Sequence, residues 1–256
     1  MEKSHGGGER ELEGLLRGLK LSEEERRGVR GAWRSDIKDE GVMPQAVGKL
    51  FSGKVGYADG IAQTLGKIWC PIKGIKCKEL GNNLFLFSFL QPGGKRRAIT
   101  DGPWEFGGDL IIVVDFDASK RLKDLEFLFT PVWIRVFDLP MGLMNAETGR
   151  AIGDKVGKTL EVDADEDGSA VGGYLRIKVS VDVRKPLLHG VMMEKDGNEK
   201  GCWCPIKYEF LPNFCYACGL LGHVVRECDE NIGGGEKYQF GDWLRVNPTK
   251  RRGWER

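Results

Sequence analysis

Four metal-ligand side chains inside fourteen residues constrain this chain more than any other feature of it: Cys215, Cys218, His223 and Cys228, spaced C-x2-C-x4-H-x4-C. Three thiolates and one imidazole complete a tetrahedral Zn2+ shell with no open position, the pattern of a structural rather than a catalytic site. So short a segment has no room for an apolar core. The metal must therefore supply its folding free energy, about 10–16 kcal/mol in zinc-finger peptides. Gly219 follows the second thiolate, where a backbone of positive φ is often needed. Gly222 lets the chain turn back so that His223 reaches the same ion. A local disulfide framework does not fit, because three cysteines cannot all pair.

The stretch Cys215-Tyr216-Ala217-Cys218-Gly219-Leu220-Leu221-Gly222-His223-Val224-Val225-Arg226-Glu227-Cys228 resembles a CCHC zinc knuckle of the retroviral nucleocapsid type. The resemblance implies that Tyr216 and Val224 form a platform for an unpaired base and that Arg226 meets a phosphate. The physics agrees, since zinc knuckles are single-strand modules and a base stacked on an aromatic ring is worth roughly 1–3 kcal/mol. The alternative is that Tyr216 only covers the metal site. Upstream, LFLFSF, DGPWEFGGDLIIV, VWIRVFDLP and YLRIKVSVDVRKPL precede the knuckle in that order. Together they resemble a plant domain-of-unknown-function family found ahead of a CCHC knuckle in LINE-type retrotransposon proteins and their host-derived relatives. The likeness runs from about Met43 to Trp243 and implies nucleic-acid and zinc binding.

The composition sets bounds. A chain of 256 residues that is 41% apolar can build one large or two small domains. No apolar run reaches transmembrane length, and the opening MEKSHGGGER lacks the apolar core of a signal peptide. Seven cysteines, three of them zinc ligands, fit a reducing compartment, nucleus or cytoplasm. With 39 Lys+Arg against 38 Asp+Glu, phosphate contacts must come from local patches rather than from net charge.

Residues 1–42 read as a flexible arm. Leu12, Leu15, Leu16 and Leu19 recur at helical spacing there, and Ser22 with Glu25 suits a capped turn. From residue 43 the pattern becomes α+β. Strands are expected at 45–51, 72–80, 84–90 and 109–116, with helices at 57–69 and 95–104. This is the βαββαβ order of ferredoxin-like and RNA-recognition-motif domains, spanning 43–118. Residues 130–211 form a further αβ block, either a partial repeat or an extension of the first sheet. A knuckle at 212–230 and a tail at 231–256 complete the chain.

In the first block the alternation of LFLFSF places Phe85, Phe87 and Phe89 on the core side. The open face then receives Leu84, Leu86 and Ser88 and lacks stacking aromatics. A better track is Tyr174, Arg176, Lys178 and Arg184, on the face of a strand whose other side is Leu175, Ile177, Val179, Val181 and Val183, with Lys185 continuing the basic run. The same alternation also describes an ordinary solvated face. Asp163, Asp165, Asp167 and Gly168 imitate the start of a calcium loop, but Tyr174 stands where its bidentate Glu belongs. Cys202 and Cys204 read as buried free thiols. No phosphate-binding glycine loop or nucleophile motif is present. The expectation is a non-catalytic, Zn2+-holding protein that binds single-stranded RNA or DNA and no membrane. Its αβ region offers a surface for a protein partner or a second copy.

Overall fold

The computed structural model describes residues 18–20, 22–31, 43–194, 201–229 and 238–246. The chain divides into two compact units, Met1–Glu40 and Gly41–Arg256. In the first, Glu23–Arg26 forms a single helical turn, α1. The Ser22 hydroxyl accepts from the Glu25 N–H, and the Glu25 carboxylate accepts from the Ser22 N–H at 2.7 Å. This reciprocal cap satisfies two donors that a helix start leaves open. Leu12, Leu15 and Leu16 lie outside the described residues.

The second unit holds two five-stranded antiparallel sheets. The first comprises β1 (Gln45–Leu50), β2 (Ile75–Gly81), β3 (Leu84–Phe89), β4 (Trp104–Phe106) and β5 (Asp109–Asp115), in the order β2-β3-β1-β5-β4. Helices α2 (Ala58–Trp69) and α3 (Gly94–Thr100) cover one face. The predicted βαββαβ order is present as β1-α2-β2-β3-α3-β5. The expected helix at 95–104 ends at Thr100, and Trp104 begins the short strand β4. Asn82 and Asn83 both take positive φ, 51° and 56°, the backbone that joins two strands with matching twist. Phe85, Phe87 and Phe89 are buried beneath the helices with Ile61, Leu65 and Trp69. The Trp69 ring meets Phe87 edge-on at 5.1 Å. The core-side reading of LFLFSF is therefore correct.

The second sheet comprises β6 (Phe129–Val136), β7 (Lys158–Val162), β8 (Leu175–Asp182), β9 (Gly190–Met193) and β10 (Cys202–Tyr208), in the order β7-β8-β6-β10-β9. It repeats the first strand for strand: β6 for β1, β7 and β8 for β2 and β3, β9 for β4, β10 for β5. Strands β6–β10 thus pair among themselves in a sheet separate from the first. Helix α4 (Ala146–Val156) takes the place of α2, and its Asn145 cap accepts from the Thr148 N–H. Among the described residues no helix corresponds to α3. The half of the inner face it would cover is filled by Leu187, Leu211, Phe214, Leu221, Phe240 and Leu244, all in one core with Val132, Ile134, Val136 and Tyr208. A zinc-ligand segment and a stretch of tail stand where the first sheet has a helix.

Candidate functional site

The loop that brings the four ligands together is built by backbone bonds. Cys215 N–H donates to Leu220 O, Gly219 N–H to Cys215 O, and Phe214 bridges Leu221. Gly219 and Gly222 sit at φ +76° and +92°, where a side chain is strained. The ligand atoms of Cys215, Cys218, His223 and Cys228 all lie within 4.8 Å of one another, and Cys218 Sγ is 3.4 Å from His223 Nε2. A tetrahedron with Zn–S of about 2.3 Å and Zn–N of about 2.0 Å has edges of about 3.5–3.8 Å, so the donors fit that ion. Burial pushes the Cys218 thiol up to about 12; the Leu220 N–H acts the other way, but Cys215 and Cys228 add to the rise. Three sulfurs packed this closely need a bound cation to stay deprotonated.

The loop is held on three sides. Phe240 stacks on His189 with ring centres 4.5 Å apart, and a Cβ built on Gly219 would meet the Phe240 ring at 2.4 Å. A Cβ on Gly222 would meet Phe51 at 3.2 Å. The Arg245 guanidinium donates to the carbonyls of Leu211 and Pro212 and lies 5.1 Å from the Phe214 ring centre. Residues 238–246 therefore clamp the loop rather than trail from it. Gly219→Ala should destabilise the zinc form by about 1–3 kcal/mol through its left-handed φ alone, with the Phe240 overlap in addition. Thermal melts of Gly219→Ala and of Gly219→Ala with Phe240→Ala separate the two contributions. A single variant that melts with the wild type would contradict this packing.

Residues 181–230 match the family model described as a zinc knuckle. The cluster and the matched family together imply Zn2+ as the ion of this site. No curated protein matches the chain. Among solved structures, the first two RNA-recognition-motif domains of the yeast poly(U) binding protein align at 16% identity and a TM-score of 0.21. That alignment covers 64% of this chain and 97% of the other.

The remaining predicted residues fall in two places. Around the knuckle, Arg226 is exposed and 3.6 Å from Glu227, and Val224 is half-buried. Tyr216 packs at 5.0 Å against Phe214, and its hydroxyl donates to Asp242 at 2.7 Å. Burial and then Asp242 raise the Tyr216 phenol pKa. On β8, Leu175, Ile177, Val179 and Val181 are buried and the predicted track lies on the other face. Arg176 is bound to Glu209 and Asp163, and Lys178 is 3.7 Å from Asp101. Arg184 grips Asp182 with two bonds, holding that carboxyl at about 2. Tyr174 lies beneath Arg135, and Lys185 is exposed beyond the strand.

Sequence reasoning missed Trp133, Arg135, Lys207 and Glu209, which share this face, and Phe240, Asp242 and Arg245 in the clamp. The alternation of FTPVWIRV, with Thr130, Val132, Ile134 and Val136 inward, was a signal for Trp133 and Arg135. Burial raises the Cys77 and Cys204 thiols to about 12 and 11, in keeping with inert sulfhydryls. Among the described residues no helix is long and apolar enough to cross a membrane.

Proposed function

We propose that this chain binds single-stranded nucleic acid, RNA in preference to DNA, as a zinc-dependent and non-catalytic protein related to the nucleic-acid-binding parts of LINE-type retrotransposon proteins. One observation carries the reading: a zinc-knuckle segment whose four ligand atoms already stand within 4.8 Å of one another. Knuckles act on single strands, whose splayed bases expose π-faces and hydrogen-bonding edges that a duplex hides. Near-zero net charge limits the electrostatic share, so few phosphates should be engaged.

The test is equilibrium binding of the zinc-loaded protein to single-stranded RNA, single-stranded DNA and duplex. Two to four phosphate contacts predict a log–log salt slope of about −1.4 to −2.8 on single strands. RNA should bind more tightly than DNA, and both more tightly than duplex. Duplex binding equal to that of single strands would defeat the proposal.

A second reading, a protein-interaction module with a purely structural knuckle, draws on one observation. The Tyr216 hydroxyl and ring are engaged within the chain by Asp242 and Phe214, so less of the ring is free for a base. Competition separates the two, because a protein-docking surface would keep its partner in the presence of excess single-stranded oligonucleotide.

A further inference from the structure

The two sheets differ on their outer faces. On the first, the side of β1 and β3 away from the helices carries Val47, Lys49, Leu84, Leu86 and Ser88, with no aromatic ring and with Val47 and Ser88 buried. On the second, β6 presents Trp133 and Arg135, with Phe137 just beyond it; β8 presents Arg176 and Lys178, with Tyr174 just before it; β10 presents Lys207. The register sets Trp133 opposite Lys178 and sets Arg135 opposite both Arg176 and Lys207.

Rings and cations interleave there. The Arg176 guanidinium lies 3.8 Å from the Trp133 ring centre and the Arg135 guanidinium 4.3 Å from that of Tyr174. Lys207 Nζ stands 5.6 Å over Phe137. Buried Glu209 receives bonds from Arg135 Nε at 2.6 Å and from Arg176 Nε and a terminal nitrogen at 3.0 Å each. It therefore fixes both guanidinium planes while neutralising one charge among four. Asp163 and Asp101 reach Arg176 and Lys178 from the margins; both carboxylates are at least half-exposed, and Lys178 and Asp101 stand 3.7 Å apart. Beside Lys178 a cleft of about 580 Å3 opens, walled by Ile99, Trp104, Phe129 and Pro131, with Ser180 also lining it.

We infer that this outer face, with the cleft at its end, is the surface on which single-stranded nucleic acid lies. Bases stack on the Arg135 and Arg176 guanidinium planes, which Tyr174 and Trp133 back from beneath, as unpaired bases do on arginine surfaces. Phosphates meet Lys207 and Lys178, displacing Asp101. The zinc segment supports the same sheet from its inner face. The inference rests on the proposed function and assigns it a site distinct from the Tyr216–Val224 platform.

The experiment measures binding of labelled single-stranded RNA and DNA of about 12 nucleotides to the zinc-loaded chain, with zinc content and melting temperature recorded for every variant. At about 0.1 M salt one single-strand phosphate contact is worth about fivefold in affinity. Lys207→Ala should bind about fivefold more weakly, with a salt slope shallower by about 0.7. Tyr174→Ala, which removes the ring that backs the Arg135 plane, should lose about tenfold. Asp101→Asn, which frees Lys178, should bind about fivefold more tightly, a gain that misfolding does not produce. Absence of binding by the wild-type zinc form would overturn the proposed function and this assignment together. Wild-type binding that Lys207→Ala, Tyr174→Ala and Asp101→Asn leave unchanged, while Tyr216→Ala or Arg226→Ala abolishes it, would overturn the assignment alone.

Discussion

Removal of zinc, by a chelator or by Cys218→Ser, will loosen the packing beneath β10 as well as the Cys215–Cys228 loop. The reason lies in what the loop carries. Phe214 precedes the first ligand, Leu221 lies between the second and third, and Phe240 and Leu244 belong to the clamp; all four are buried in the same core as Tyr208, Val132 and Ile134. Each side chain of this size contributes about 1.5–3 kcal/mol by leaving water. The loop has only a small cluster of its own, Cys215, Ala217 and Cys218, so without the metal its hold on these residues weakens. The core under α2, made of Ala46, Leu65, Phe85, Phe87 and their neighbours, forms a separate cluster and should survive. Hydrogen exchange of the zinc-loaded and metal-free chains should show protection lost in β10, β6 and residues 238–246 and retained in β1 and β3. Loss confined to residues 213–228 would mean that the knuckle is a bead resting on a finished sheet.

How much of this was legible depended on the range of each contact. The ligand set was readable because all four donors fall within one loop. The core side of β3 and β8 was readable because alternation is a local property. What alternation omits is the identity of the covering layer. Nothing in Leu187, Phe214 or Phe240 announces that they jointly replace a helix, because they meet only when the tail folds back under β10. The role of Tyr216 was undecided for the same reason: the Asp242 carboxylate that takes up its hydroxyl stands 26 residues away. Arg176 looked like a cation offered to solvent, since its partner Glu209, just past the end of β10, stands 33 residues on. Strands β4 and β9 were hard to delimit because a strand of three or four residues shows barely one period. Whether the second block repeats the first or extends its sheet was left open because only strand order is shared, and order becomes visible once the strands are paired.

Glu209→Ala will cost about 3–5 kcal/mol of folding stability at neutral pH, the usual penalty for removing one partner of a buried ion pair. The side chain of Glu209 is 6% exposed, and those of Arg135 and Arg176 are 23% and 29% exposed, so water does little to screen the three. Without the carboxylate Arg176 keeps Asp163 at 3.3 Å, and most of the penalty falls on Arg135. Against a typical total of about 5–15 kcal/mol, that loss should appear as a clear fall in the urea midpoint. Burial raises the Glu209 pKa, but hydrogen bonds and charge from Arg176 and Arg135 outweigh it and hold the group below the usual carboxylate range. A folded-state pKa below the unfolded value of about 4.3 stabilises fully above that pH. The contribution is lost as the pH falls through the folded value. The wild type should therefore lose stability on acidification below about pH 4.3, whereas Glu209→Ala, lacking the group, should lose less over the same interval. Urea titrations of both proteins at neutral and acid pH measure this difference. Parallel acid losses would show that Glu209 is not the carboxylate that holds the two guanidinium planes in place on the outer face.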